Sequence, residues 1–173
     1  MRALALLSLS LFALPVHAEL TQSAPDALES RHVFRIEKTP AEAWRVLIKP
    51  QRYWPRDHTW SGDPGNLSLE ARAGGCFCEK WKDASAEHGR VVMSQKDALL
   101  RIRGAFGPLQ ALAVTGVVTV ELSAKDGGTE AIVTYRVSGD SLHQLDKFAP
   151  VVDKVIGQQF GRFADLATDG KLD

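Results

Sequence analysis

The residues able to do chemistry crowd between Tyr53 and Trp81, which holds three of the 4 tryptophans, both cysteines and one of the 5 histidines. Cys76-Phe77-Cys78 is the sharpest feature. On a strand, residues two apart share a face, so both sulfurs point one way while Phe77 points the other, with Trp81. Three chemistries suit such a pair. It can be two small buried hydrophobes. It can be a disulfide, with its Cα atoms close to the limit of about 6.8 Å for a bridge, and so easily reduced. It can also form part of a zinc or copper shell completed by His58, His88 or Asp63. C-x-C lacks the C-x₂-C knuckle spacing and no second cysteine pair exists, so neither a metal nor a cofactor is assigned.

Arg56-Asp57-His58 places a carboxylate beside a histidine, as acid–base chemistry requires, but neighbours in a loop need not converge. No nucleophile motif accompanies them. His58 therefore reads as a solvated loop histidine, and no catalytic residue is assigned. Glu79 shares a strand face with Phe77 and Trp81. If that face is inward, a carboxylate sits in an apolar pocket with a raised pKa, a candidate general base or ligand anchor. If it is outward, Glu79 is solvated and the cysteines point in. Asn66-Leu67-Ser68 matches a glycosylation sequon, which chance often supplies.

The elements that must position these groups follow from hydrophobic period. Arg31–Glu37 alternates as a first strand, with Phe34 and Ile36 on one face. Thr39-Pro40 opens a short helix through Ile48, buried along Trp44, Leu47 and Ile48. A second short helical turn takes in Pro50–Trp54. A loop from Arg56 passes through Gly62-Asp63-Pro64-Gly65. Four strands follow, over 67–72, 76–82, 89–96 and 99–103. Gly104–Ala113 is too apolar for an ordinary solvated loop. Val114–Ala124 and Thr129–Ser138 pair as a hairpin across 125–128. A final helix has Pro150 in its first turn and ends near Thr168, spanning roughly 27 Å. The expected architecture is α+β: a curved antiparallel sheet of about six to seven strands gripping a long C-terminal helix, with two short helices after the first strand.

The chain opens MRALALLSLSLFALPVHAEL. A basic start, an apolar run from Ala3 to Leu14 and the small-x-small site Val16-His17-Ala18 predict a signal peptide (1–18) cleaved after Ala18. The run is too short to span a membrane. Without Arg2, the basic count falls from 21 to 20 against 21 acidic residues. A near-neutral surface argues against nucleic acid as a partner. An exported, periplasmic or secreted monomer without stable membrane insertion is expected. It comprises a flexible segment (19–30), one domain (31–168) and a tail (169–173).

The order of elements, the TPAEAW helix start (Thr39–Trp44), the GPLQ segment (Gly107–Gln110) before a long hairpin and the closing amphipathic helix resemble the START-like superfamily. This is the helix-grip, or SRPBCC, fold of Bet v 1-like proteins, polyketide cyclases and lipid-transfer domains. The resemblance implies an apolar cavity between sheet and helix. It implies that the helix lends Val152, Val155, Ile156, Gln159 and Phe163. The strands would lend Leu69, Phe77, Glu79, Trp81, Met93, Leu100, Ile102, Val118, Val120, Val133 and Tyr135, and Trp54, Trp60, Phe106 and Leu109 would frame the entrance. Ordinary core packing produces the same pattern. The function implied is binding or carriage of a small hydrophobic molecule of lipid, polyketide or aromatic type. The alternatives are a cyclase or hydratase using Glu79, Tyr135 or His58, and an interaction module presenting Trp54 and Trp60 to another exported protein.

Overall fold

The computed structural model describes residues 18–172. The apolar run of the expected signal peptide lies outside the described residues.

Eight strands form one curved, open antiparallel sheet: β1 (Ala18–Ala24), β2 (Ala27–Ile36), β3 (Leu67–Leu69), β4 (Cys76–Trp81), β5 (Ala84–Gln95), β6 (Leu99–Arg103), β7 (Thr115–Lys125) and β8 (Gly128–Ser138). Their spatial order is β1-β2-β8-β7-β6-β5-β4-β3. The one non-sequential pairing joins β2 to β8, register Leu28↔Val137 through Ile36↔Thr129. Helix α1 (Pro40–Leu47) and a 3-10 turn (Pro50–Arg52) follow β2, and α2 (Leu145–Asp169) closes the chain. The fold class is the one expected.

Local chemistry accounts for the boundaries. Thr39 and Glu42 make a reciprocal capping box at α1, with Pro40 in its first turn. The β7–β8 hairpin turns on Asp126 and Gly127, both at positive φ (47° and 76°), the conformation a two-residue turn between twisted strands requires. The inward residues Val118, Val120 and Leu122 of β7 and Ala131, Val133, Tyr135 and Val137 of β8 are buried as the alternation predicts.

Three expectations are corrected. Residues 19–30, expected to be flexible, form β1 and the start of β2, joined across Pro25-Asp26. Their pattern was hidden because the inward face of β2 here is Leu28, Ser30 and His32, two of them polar. Helix α2 starts at Leu145, five residues before Pro150, which sits inside it. A proline this near a helix start forfeits a single hydrogen bond, so the first turn survives. With 25 residues, α2 runs about 37 Å. Finally, β5 carries a bulge between Val91 and Met93. The extra residue reverses the alternation and leaves Met93 41 % exposed beside Arg101, not inward.

The C-terminal half of α2 buries Phe160, Phe163, Ala164 and Ala167. Tyr53 packs on Phe163 with ring centroids 5.6 Å apart. Its hydroxyl donates to the Leu47 carbonyl at 2.9 Å. The N-terminal half of α2 has no such filling against the far strands, and the space left there is the candidate site.

Candidate functional site

A cavity of about 380 Å³ lies between the N-terminal half of α2, the segment 54–60 and the segment 106–109. Helix α2 contributes Phe148, Val151, Val152, Val155, Ile156 and Gln159. Trp54, Asp57, His58 and Trp60 form the opposite lip, Phe106, Gly107, Pro108 and Leu109 a third side, and His88 and Tyr135 the floor. Trp60 (49 % exposed) and Val151 (55 %) stand at the opening.

Aromatic packing holds the walls. Trp54 is buried edge-on against Phe77 (5.2 Å) and Phe160 (6.2 Å). Its indole N–H donates to the His58 carbonyl at 3.1 Å, which turns His58 toward α2. Phe106 stacks on Tyr135 at 5.1 Å. The Tyr135 hydroxyl accepts from Phe106 N at 2.9 Å and donates to the Gly104 carbonyl at 3.3 Å. Burial holds its proton above the usual phenol range. Tyr135 is therefore a brace for the 104–109 segment.

Glu79 is inward and fully buried. Its carboxylate accepts from Trp60 N (3.0 Å) and Ser61 N (2.6 Å) and lies 2.9 Å from His88 Nε2. Burial alone raises its pKa, but the hydrogen bonds from Ser61, Trp60 and His88 outweigh it and hold the group below the usual carboxylate range. The raised value expected for an inward Glu79 is thus corrected. An ion pinning the Trp60–Ser61 loop to β4 stands behind His88, which itself meets the cavity.

Gln159 is 4 % exposed. Its Nε2 stands 3.5 Å from His58 Nδ1, and its Oε1 is buried without a protein donor. Asp57 and His58 also border a shallower groove along Gly157, Gly161 and Arg162 of α2. A separate inward cluster joins Ser30, His32 and Asp153 beneath α2, with His32 Nε2 2.9 Å from Ser30 Oγ and 3.0 Å from Asp153 Oδ1. A nucleophilic relay needs the serine and the carboxylate on opposite ring nitrogens. Here one nitrogen meets both, so the cluster ties α2 to β2.

Nine of the expected residues meet at the cavity: Trp54, Trp60, Phe106, Leu109, Tyr135, Val152, Val155, Ile156 and Gln159. Leu69, Phe77, Leu100, Ile102, Val118 and Val120 instead surround a void of about 20 Å³, room for about one water. Val133 and Phe163 are fully buried, and Trp81 is half-buried near the end of β4. The sequence places His58 in solvent, offers His88 only as a metal ligand, and does not assign Phe148 or Val151 to the cavity. Phe148 precedes the helix start expected at Pro150, whereas Val151 falls inside the expected helix and is missing only from the expected cavity lining. His88 offered no signal, because a second bulge, opposite Phe77 and Cys78, decides its face.

Cys76 and Cys78 point outward and are joined as a disulfide, with Cα atoms 5.4 Å apart. The same bulge accompanies a spacing shorter than the regular strand repeat assumed from sequence. Donor atoms of Cys76, Cys78 and Glu87 lie within 4.8 Å of one another, but bonded sulfurs offer no thiolate. His88 is buried on the inward side against Glu79, and Asp63 caps Gly65 N, so neither joins the cysteines.

No protein-family model and no curated protein matches the chain. Solved structures do. CalU16 from Micromonospora echinospora superposes with a TM-score of 0.60 at 14 % identity, over 92 % of this chain and 88 % of that one. A conserved protein of unknown function from Enterococcus faecalis gives 0.60 at 10 % identity, over 91 % and 80 %. Ara h 8.0201, a Bet v 1 homologue, gives 0.56 at 10 % identity, over 82 % and 97 %. The chain has the Bet v 1-like helix-grip fold. Identities this low carry the fold alone. No helix among the described residues is long and apolar enough to cross a membrane.

Proposed function

We propose that this helix-grip protein binds or carries a small hydrophobic molecule, of lipid, polyketide or aromatic type, as an exported monomer. One observation carries the reading: a cavity of about 380 Å³, open to solvent, walled by Trp54, Trp60, Phe106, Phe148 and Val152 with few polar groups among them. Ligand sites are concave, mostly apolar and about 300–1,000 Å³ in volume, with a small number of placed polar atoms.

Native mass spectrometry of protein purified from its own host, followed by organic extraction, tests it. The expected result is an apolar molecule in near-stoichiometric amount. Recovery of nothing, together with no uptake of added apolar compounds, would defeat the proposal.

The catalytic alternative has one point in its favour, that His58 and His88 face the same cavity. Against it, the other acid–base groups weighed from sequence are committed elsewhere: Glu79 to Trp60, Ser61 and His88, and the Tyr135 hydroxyl to backbone. Carriage needs neither group.

A further inference from the structure

The Cys76–Cys78 bridge lies on the outward face of β4, and neither cysteine lines the cavity. It is poorly suited to be a structural clasp. With a sequence separation of 2, it takes little freedom from the unfolded chain, roughly half of what a loop of about 15 residues would lose. It also joins no separate elements. Strand β4 is already paired with β3 on one side and β5 on the other, and its inward residues Phe77 and Glu79 are buried.

The bridge is open to reagents. Both cysteines are half-buried, and their neighbours across the ladder are polar and exposed: Ser68 and Glu87 opposite Cys78, and Arg90 opposite Cys76. Glu87 adds a bias toward the reduced pair. Its Oε2 lies 3.9 Å from Cys76 Sγ, and only a thiol has a proton to donate to it. Arg90 takes one site on each Glu87 oxygen, which leaves each a further lone pair.

We infer that Cys76–Cys78 is a redox-active site that exchanges two electrons with small thiols. A thiolate attacks Cys78 Sγ and forms a mixed disulfide. The bond to Cys76 breaks, and Cys76 Sγ leaves with the electron pair, takes up a proton and donates to Glu87. A second thiolate attacks the sulfur of the attached molecule, and Cys78 leaves as a thiolate in turn. One bridge and two thiols are consumed; two cysteine thiols and one oxidised disulfide result.

The test incubates the folded full chain with mixtures of reduced and oxidised glutathione, quenches with acid and counts free thiols by alkylation and mass spectrometry. Millimolar reduced glutathione should give two alkylated cysteines while tryptophan emission stays native, whereas a structural disulfide resists that thiol. Glu87→Ala, at an exposed position, should lower the equilibrium constant for reduction about threefold. A bridge that persists in the folded protein and opens only in urea overturns the inference. So does reduction that abolishes the native emission, since the bridge would then be a clasp. An equilibrium constant unchanged in folded E87A overturns the part given to Glu87.

Discussion

Glu79 shows how a single side chain reverses the expectation its surroundings invite. A fully buried carboxylate should resist ionisation, yet two backbone N–H groups and an imidazole converge on it and the ion prevails. Its folded pKa lies below the unfolded value, so its contribution to stability is complete above the ordinary carboxylate range. That contribution is lost as pH falls through the depressed folded value. Glu79→Gln replaces one acceptor by an NH₂ that faces a backbone donor. It should cost about 2–3 kcal/mol at neutral pH and flatten the acid limb of the stability curve. Urea unfolding followed across pH checks both; an unchanged acid limb would mean that other carboxylates set it. The sequence made Glu79 conspicuous, since an acid flanked by apolar alternation is rare enough to notice. It could not show the partners, because Trp60 and Ser61 arrive from a loop whose path no periodicity encodes.

At the level of elements, the seating of α2 on β2 depends on two glycines that behave differently. A Cβ on Gly157 would stand 2.8 Å from His32 Cε1, and that ring is held by Ser30 and Asp153. A Cβ on Gly161 would make ordinary contact with Phe34 at 3.8 Å. Gly157→Ala should therefore destabilise by about 1–2 kcal/mol, overpacking outweighing the gain in helix propensity. Gly161→Ala should stabilise by up to about 1 kcal/mol. Thermal melts of the two variants should move in opposite directions, and a shared direction would refute this account of the seating. The same two elements mark where sequence reading reached its limit. The Thr39-Pro40 start of α1 and the hairpin across residues 125–128 were legible, since each is written in neighbouring residues. The inward face of β2 was not, because Ser30 and His32 are buried by pairing with an acid on α2. Met93 was misplaced because a bulge adds one residue to a strand without any change of composition.

For the molecule as a whole, fold class was legible and the division of its interior was not. Alternation assigns a residue to a face; whether that face meets a filled core or an open space depends on distances between elements. Leu100 and Val152 were read alike, yet one is 2 % exposed beside a void of about 20 Å³ and the other lines the cavity. Truncation separates them. Leu100→Ala should cost about 2–5 kcal/mol with little direct effect on binding, whereas Val152→Ala should cost under about 1 kcal/mol and change uptake of apolar compounds. Equal costs would erase the distinction between core and cavity.

The pairing of β2 with β8 has a consequence in time. Strand β2 lies near the beginning of the chain and β8 near its end, and α2, which covers β2, is later still. The helix-covered half of the sheet therefore cannot close until almost the whole chain is available, while β3–β6 can pair locally beforehand. Such distant partners place the protein among slow folders, in the range of milliseconds to seconds. During synthesis the β1–β2 end of the sheet should stay open until β8 and α2 have been made, the Ser30–His32–Asp153 tie forming after both.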